Sequence, residues 1–257
     1  MAAPPYLFSG LLRAAGIPHA FTTRAAGNMS RGVGDDPRAV AARRAAAVRA
    51  LGCDPARHVE AEQVHGVVVA AVTAGDGGRM VPGADGLVSL EPGTVLAVHS
   101  ADCVPLLLAD PSRGVVAAIH AGWRGVAAGI PVEAVRALSR LGGRPADVVA
   151  AIGPSIGPCH YEVDEPVIEQ MRRWPWWPEV ARRNGRERWQ LDLRTSCIRQ
   201  LTDAGLAAGR IEVLAVCTYE RPELLYSYRR DRTTGRMAAL VAVPRGPEGT
   251  GGRRRIP

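Results

Sequence analysis

The stretch TVLAVHSADCVPLLLADPSRGVVAAIHAG, residues 94–122, decides the fold, because it contains three apolar runs with the composition of buried strands. The runs cover 94–103, 104–110 and 114–122, and aspartate, proline and glycine separate the last two. Similar runs occur at 65–73, 86–90, 146–153, 211–217, 224–229 and 236–244. Strands therefore dominate, with helices placed irregularly between them, which predicts an α+β fold in the form of a mixed-sheet, layered α/β sandwich.

Helix signals occur in three segments, 36–52, 126–143 and 192–205. The first and the third begin with an aspartate as N-cap and end at a glycine. The second contains Pro131, which predicts a kink or a break into two helices.

The length and composition suit one globular domain. The chain has 257 residues and 47% apolar content, enough for a substantial core. We expect a single catalytic domain over 1–244, followed by an Arg- and Gly-rich tail, 245–257, whose composition predicts disorder. The five cysteines are odd in number and form no CxxC pair, which argues against a disulfide framework.

The charge pattern excludes several classes of protein. All 32 basic residues are arginine, which excludes a P-loop, a lysine Schiff base and a pyridoxal-phosphate lysine. The net charge is +7, but the arginines form no basic helix and the aromatic residues are scattered. We therefore expect no nucleic-acid partner, and the arginine content favours small anionic substrates. The chain start lacks a signal-peptide pattern and no apolar run reaches membrane-spanning length, which predicts a cytoplasmic protein without a membrane partner.

The opening stretch also contains candidates for chemistry. In a continuous strand, His99 and Cys103 would share one face. His120 ends the third run and is followed by the small residues of AGWRG, and His65 in EQVHG stands at the start of another strand pattern. An isolated histidine or cysteine at a strand end is more often a core residue, so residue types alone leave open whether these four fill the core, form a nucleophile with its base or bind a metal.

Two short motifs point to enzyme families that the rest of the sequence excludes. GPSIG at 153–157 matches the nucleophile elbow of α/β-hydrolases, but the only histidine after Ser155 is His160, five residues on, so the order acid then histidine fails. PCHYE has one cysteine and no preceding H-x-E, which excludes the zinc nucleobase deaminases.

Longer motifs carry a specific resemblance. EQVHG, SADCVPLLLAD, HAGWRG and GPSIGPCHYEV occur in this order, flanked by FTTRAAGNMS, VGDDPRAV, YSYRR and TGRMAA. Together they span residues 20 to 240 approximately and resemble the YfiH/YlmD family, the laccase-domain or polyphenol-oxidase-like proteins also named purine nucleoside phosphorylases. The YfiH-like, cysteine-hydrolase-like fold of that family agrees with the single-domain sandwich predicted above.

The resemblance implies a metal centre and a reaction. It implies that His65, Cys103 and His120 are the catalytic residues and bind a zinc ion in each chain, with a fourth position open. His99, whose position the family pattern does not fix, is then a core or supporting residue. The implied reaction is phosphorolysis of adenosine, inosine, guanosine and methylthioadenosine to base and sugar 1-phosphate, with adenosine deamination as a second activity. Purine nucleosides and phosphate are the implied small-molecule partners.

The resemblance also marks residues around the centre. Arg24 in TTR, and less clearly Arg229 in SYRR, are the implied phosphate ligands. Tyr161 and Glu162 of YEV either line the pocket or anchor a turn. His160 stands where many members have a cysteine and would offer a fourth metal ligand.

Alternatives to the phosphorylase remain open at this point. The copper-dependent, laccase-like polyphenol oxidase that the family's other name suggests is disfavoured, because the chain has six histidines and no HxH pair. The others are a metal-free hydrolase with Cys103 as nucleophile and His120 as base, an enzyme that edits cell-wall precursors, and a partner-binding module that uses the Trp-rich segment 172–189. We interpret that segment as a packing segment or oligomer contact, and we expect a monomer or homodimer.

Overall fold

The computed structural model describes residues 3–185 and 187–245, which form two six-stranded sheets and one three-stranded sheet. The strands are β1 (Tyr6–Leu7), β2 (His19–Thr22), β3 (His58–Ala61), β4 (Val69–Ala71), β5 (Met80–Val81), β6 (Gly86–Ser89), β7 (Val95–Ser100), β8 (Val104–Asp110), β9 (Val115–Ala121), β10 (Val149–Ile152), β11 (Glu162–Asp164), β12 (Ala181–Arg183), β13 (Arg188–Leu191), β14 (Ile211–Val213) and β15 (Met237–Ala242). The α-helices are α1 (Gly10–Ala14), α2 (Pro37–Ala50), α3 (Trp123–Ala128), α4 (Ile130–Arg140), α5 (Glu165–Met171), α6 (Trp177–Val180), α7 (Leu193–Asp203) and α8 (Tyr228–Asp231). Apart from Arg245, the predicted tail lies outside the described residues.

Both six-stranded sheets are mixed. The first has the order β1-β2-β15-β7-β3-β5, in which β15 pairs antiparallel with β2 and β7, and β3 pairs parallel with β7. The second has the order β14-β10-β8-β9-β6-β4, with an antiparallel centre and parallel pairs at both edges. The third, β11-β13-β12, is antiparallel.

The two large sheets pack face to face, and helices cover their outer faces. Along β8, Leu107 and Ala109 pack with the first sheet, whereas Leu106 and Leu108 belong to the core beneath α3, α4 and α7. The strand is buried on both faces, and for this reason its sequence is a continuous apolar run without polar alternation. On the other side, α2 packs against the outer face of β7 and β15. The predicted mixed-sheet layered sandwich is confirmed, and its layers run helix, sheet, sheet, helix.

The best-marked helices form where their caps predict them. Asp36 accepts a hydrogen bond from the Arg38 amide at the start of α2, and Asp192 accepts one from the Thr195 amide at the start of α7. The predicted break also occurs: α3 ends at Gly129, whose φ of 100° requires glycine, and Pro131 lies in the first turn of α4.

Several strand predictions are wrong or too long. The runs 65–73 and 211–217 contain only the short strands Val69–Ala71 and Ile211–Val213, and His65 lies in the loop before the first of them. The run 224–229 is a loop that leads into α8, because Ser227 caps that helix by accepting a hydrogen bond from the Arg230 amide. The run 94–103 is too long: β7 ends at Ser100, and Asp102 has a left-handed φ of 101°. Strand alternation therefore does not relate the side chains of His99 and Cys103.

The Trp-rich segment contributes to packing. It contains α6, β12 and the start of β13, and the Trp176 and Trp189 side chains are buried in the core beneath the second sheet. Their indole N–H groups donate to the Asp203 and Glu165 carboxylates at 2.9 and 2.7 Å. Among the described residues, no helix combines the length and the apolar character needed to cross a membrane.

Candidate metal centre and active site

Three side chains from distant parts of the sequence converge where the two large sheets meet. His65 lies in the loop between β3 and β4, Cys103 in the turn between β7 and β8, and His120 near the end of β9. Their ligand atoms all lie within 4.8 Å of one another, with 4.0 Å between Cys103 Sγ and His65 Nε2. The His65 and His120 rings meet edge to face, with centroids 4.8 Å apart. The structure thus brings together the three ligands that the resemblance implied.

Asp85 shapes the loop that carries His65. Its carboxylate is fully buried and accepts hydrogen bonds from the backbone amides of Val64, His65 and Gly66 at 3.1, 2.9 and 2.6 Å. His65 itself has a φ of 63°, a left-handed conformation that is uncommon outside glycine. Three charge-assisted hydrogen bonds from consecutive residues offset that strain and hold the loop around the carboxylate.

Asp85 also orients His120. The carboxylate oxygen Oδ1 lies 2.9 Å from His120 Nδ1, so Nδ1 carries a proton and Nε2 is the ring nitrogen that a metal would bind. Burial acts to raise the pKa of the Asp85 carboxyl, but the hydrogen bonds from His120, Gly66 and His65 outweigh it and lower the pKa. Asp85 therefore stays ionised and supports both histidines. Sequence reasoning missed it; the only signal was an acidic residue placed directly before an apolar strand pattern.

Gly122 makes the close approach of the ligands possible. A Cβ atom at this position would lie 2.7 Å from His65 Cδ2 and 3.3 Å from Cys103 Sγ. The first distance is shorter than a van der Waals contact, so any side chain here would displace the His65 ring. The first glycine of HAGWRG is thus required by packing against His65 and Cys103.

Cys103 and His120 perturb each other. Burial acts to raise the pKa of the Cys103 thiol, but the adjacent imidazolium of His120 lowers it below its usual range. Burial acts to lower the pKa of His120, but the Cys103 thiolate and the Asp85 carboxylate raise it. Without a metal the two side chains form a thiolate–imidazolium pair.

The donor set fits zinc. Zinc–sulfur bonds of about 2.3 Å and zinc–nitrogen bonds of about 2.05 Å at tetrahedral angles would place the ligand atoms about 3.5 Å apart. The ligand atoms here lie somewhat further apart, at 4.0 Å for Cys103 Sγ and His65 Nε2 and within 4.8 Å for all pairs, so small side-chain movements would close the set around an ion. Two imidazoles and a thiolate form a common set for a catalytic zinc site with an open fourth position, and the Asp85 contact fixes the tautomer of His120 that such a site needs.

A cavity of about 660 Å³ opens onto these three residues. Its lining residues include Arg31, Arg44 and Arg236. Arg44 is nearly buried and pairs with the Glu60 carboxylate at 2.7 Å, whereas Arg31 is exposed. Three arginines therefore line the same cavity as His65, Cys103 and His120, and the charge of one of them is balanced by a carboxylate. None of these arginines was a candidate in the sequence, although Arg44 and Arg236 lie in or beside the matching motifs VGDDPRAV and TGRMAA.

His99 is part of this cavity wall after all. Burial lowers the pKa of its imidazole well below the usual value, so the ring is neutral. Its Nε2 atom is buried and has no hydrogen-bond partner among the described residues. Gln63 holds the backbone on which it sits, with its side-chain amide bonded to both the N–H and the carbonyl group of His99. His99 therefore contributes a neutral ring to the cavity wall, while its Nε2 atom itself is shielded from the cavity.

The other sequence candidates fall into two places. One group contains Arg229, Tyr161 and Glu162. The Arg229 guanidinium lies 4.9 Å from the centre of the Tyr161 ring and donates to the Glu162 carbonyl at 2.7 Å. The Arg229 amide donates to the carboxylate of Asp102, next to Cys103. Arg24 lies over the Tyr226 ring, at 4.8 Å. None of Arg24, Tyr161, Glu162 and Arg229 belongs to the lining of the 660 Å³ cavity.

His160 does not join the three metal-centre residues. It lies beside Cys217 and Glu220, in a separate group.

Comparisons with known proteins agree with this architecture. A family model described as multi-copper polyphenol oxidoreductase laccase matches residues 12–244. A protein of Streptomyces coelicolor named purine nucleoside phosphorylase is 46% identical over 215 residues, 83% of this chain and 86% of the relative. A Deinococcus radiodurans protein of the same name is 42% identical over 91% of this chain and 92% of its own. The crystal structure of YlmD from Geobacillus stearothermophilus superposes with a TM-score of 0.89 at 37% identity, covering 95% of this chain and 98% of YlmD.

Proposed function

The chain belongs to the multi-copper polyphenol oxidoreductase laccase family, as its motifs predicted, and on this basis we propose that it is a zinc-dependent purine nucleoside phosphorylase that also deaminates adenosine. The names of its relatives support an enzyme that acts on purine nucleosides and phosphate. The observation that carries the proposal is the cavity that joins a catalytic-type donor set to a cluster of arginines.

The cavity suits a nucleoside with a phosphate ion. Its volume of about 660 Å³ lies within the usual range of small-molecule sites, about 300–1,000 Å³. Phosphorolysis needs donors that hold a phosphate dianion against the sugar carbon as the bond to the base breaks. Arg31 and Arg236 line the cavity and are the arginines we assign to the phosphate, whereas Arg44 already pairs with Glu60 and adds positive charge beside them.

His65, Cys103 and His120 would hold the zinc ion, and Asp85 would keep the His120 ring in place. When bound, the zinc ion supplies Lewis acidity at this wall of the cavity. Deamination of adenosine further requires a group that moves a proton to the departing amine. Glu62, whose carboxylate lies in the cavity wall, is the residue we assign to that step.

The reaction is tested by measuring hypoxanthine release from inosine with and without phosphate, in protein loaded with zinc. We expect release that requires phosphate and yields ribose 1-phosphate. If zinc-loaded protein releases no purine base, or releases it equally without phosphate, the phosphorylase proposal is wrong.

The phosphate ligands are tested by a matched set of substitutions. Arg31→Gln and Arg236→Gln remove cavity guanidiniums, whereas Arg24→Gln and Arg229→Gln remove the arginines that the resemblance implied. We expect the first pair to raise the KM for phosphate about tenfold or more, as the loss of a charged hydrogen bond of about 1.5–3 kcal/mol requires. If only the second pair raises that KM, phosphate binds at the family-implied position instead.

A second candidate function rests on one specific observation. A metal-free cysteine hydrolase needs a nucleophile beside a base that an acidic group orients. Here Cys103 lies beside His120, and the Asp85 carboxylate accepts a hydrogen bond from the His120 ring. His65 has no role in such a triad. Activity that survives a chelator and the His65→Ala substitution, but not Cys103→Ala, would favour the hydrolase.

A further inference from the structure

A second group of metal-ligating side chains lies outside the cavity. It consists of His160, Cys217 and Glu220, whose ligand atoms lie within 4.8 Å of one another. His160 Nδ1 is 3.3 Å from Glu220 Oε1 and 3.9 Å from Cys217 Sγ. None of the three lines the cavity described above.

The two distances from His160 lie on either side of those expected for ligands around one cation. Tetrahedral zinc bonds of about 2.3 Å to sulfur and about 2.05 Å to nitrogen or oxygen place neighbouring ligand atoms about 3.4–3.6 Å apart. A single ion pair between His160 and Glu220 would account for the nitrogen–oxygen distance alone. A cation would account for the approach of all three ligand atoms, the Cys217 sulfur included.

Two of the three side chains are held in position by their surroundings. Cys217 is buried, its backbone pairs with Ser155, and its sulfur accepts a hydrogen bond from the Gly157 amide at 3.2 Å. The His160 ring stacks on Tyr219, with centroids 4.5 Å apart and an angle of 19°. The third, Glu220, is exposed, so an ion has access from solvent. A site in which rigid elements fix most of the ligands binds with little loss of side-chain entropy.

We propose that His160, Cys217 and Glu220 form a second binding site for zinc or another divalent ion that prefers nitrogen and sulfur ligands. The ion joins the turn that contains His160 to the segment that follows β14. Thr218, beside Cys217, donates a hydrogen bond of 2.6 Å to the Asp102 carboxylate, directly before Cys103 in the chain. A bound ion therefore also stabilises the backbone on which the first centre is built, and the full chain binds a second ion in addition to the first.

Cobalt titration of the full-length Cys103→Ser protein tests the site, because this background removes the thiolate of the first centre. A cysteine bound to Co²⁺ gives a charge-transfer absorption in the near ultraviolet. We expect this absorption in Cys103→Ser, its loss when His160→Gln is added, and a Kd for Co²⁺ raised by at least about tenfold when Glu220→Gln is added. The matched control is Glu223→Gln, an exposed carboxylate nearby that pairs with Arg221 and that should change nothing.

Two results would overturn the proposal. One is a Cys103→Ser protein that shows no thiolate absorption with Co²⁺. The other is an absorption that persists at the same affinity in the His160→Gln and Glu220→Gln variants, or that is lost with exposed Cys159→Ser instead of Cys217→Ser. Circular dichroism of each variant without metal checks that the fold is retained. Because the first centre is disabled throughout, neither result bears on the proposed phosphorylase activity.

Discussion

Replacing Asp85 with asparagine tests a residue that positions His65 and His120 but is not itself one of the three candidate ligands. The carboxylate accepts four hydrogen bonds: Oδ1 from the His120 ring and the His65 amide, and Oδ2 from the Val64 and Gly66 amides. An asparagine side chain retains one acceptor oxygen and turns an NH2 group toward the two donors that the other oxygen served. Either orientation therefore leaves two donors, buried or partly buried, without an acceptor.

The magnitude follows from that count. An unsatisfied buried donor costs about 1–3 kcal/mol, so we expect Asp85→Asn to lower the free energy of unfolding of the metal-free protein by about 2–6 kcal/mol. Loss of the group that orients a metal-binding histidine lowers metal affinity by about 10–100-fold. We therefore expect both a less stable protein and a weaker first zinc site.

Asp110→Asn is the matched control. Asp110 is also fully buried and also accepts four hydrogen bonds, from Ser112, Arg113 and Arg144, but it touches none of the metal-centre residues. Urea unfolding in the presence of a chelator measures stability, and competition with a chromophoric chelator measures zinc affinity. Both variants should lose stability, and only Asp85→Asn should lose zinc affinity. Equal zinc affinity in the two variants and the wild type would refute the reasoning.

Three further outcomes are expected. Gly122→Ala should weaken zinc binding about tenfold or more, because the new Cβ would lie 2.7 Å from His65, whereas Gly209→Ala, with open space around it, should not. Burial, with smaller effects of nearby arginines, lowers the pKa of His58 to about 4. The folded state therefore favours the neutral ring, and this contribution to stability is complete above the unfolded pKa of about 6.5. It is lost as the pH falls from there through the folded value. Urea unfolding at neutral pH and at about pH 4 should show an acid-induced loss about 3 kcal/mol smaller in His58→Gln. Asp192→Ala should lower the free energy of unfolding by about 1 kcal/mol, since α7 loses its N-cap.

Each of these has a result that contradicts it. Unchanged zinc affinity in Gly122→Ala would mean that the His65 ring has room to move. An equal acid-induced loss in His58→Gln and in wild type would mean that His58 does not titrate between these pH values. An Asp192→Ala protein as stable as wild type would mean that the cap contributes nothing measurable.

Local sequence was sufficient for the elements whose signals lie within a few residues. The aspartate caps of α2 and α7 and the break between α3 and α4 depend on hydrogen bonds and backbone angles within one turn. The three central apolar runs predicted β7, β8 and β9, because strands buried on both faces need apolar residues throughout. The error at the end of β7 came from the same logic, since an apolar pattern does not reveal the left-handed turn at Asp102.

The long motifs also selected His65, Cys103 and His120, through their resemblance to a known family. Residue types alone had left the role of these three residues open. Only the tertiary structure determined what surrounds them. Asp85, Gly122 and the cavity arginines are distant in the chain from one ligand or another, and they reach the site because the two large sheets pack face to face. The parallel pairing of β10 with β14, continued by the bridge between Ser155 and Cys217, sets His160 with Cys217 and not with the first centre. Such contacts depend on the relative positions of whole sheets and loops, which no short-range pattern of residues encodes.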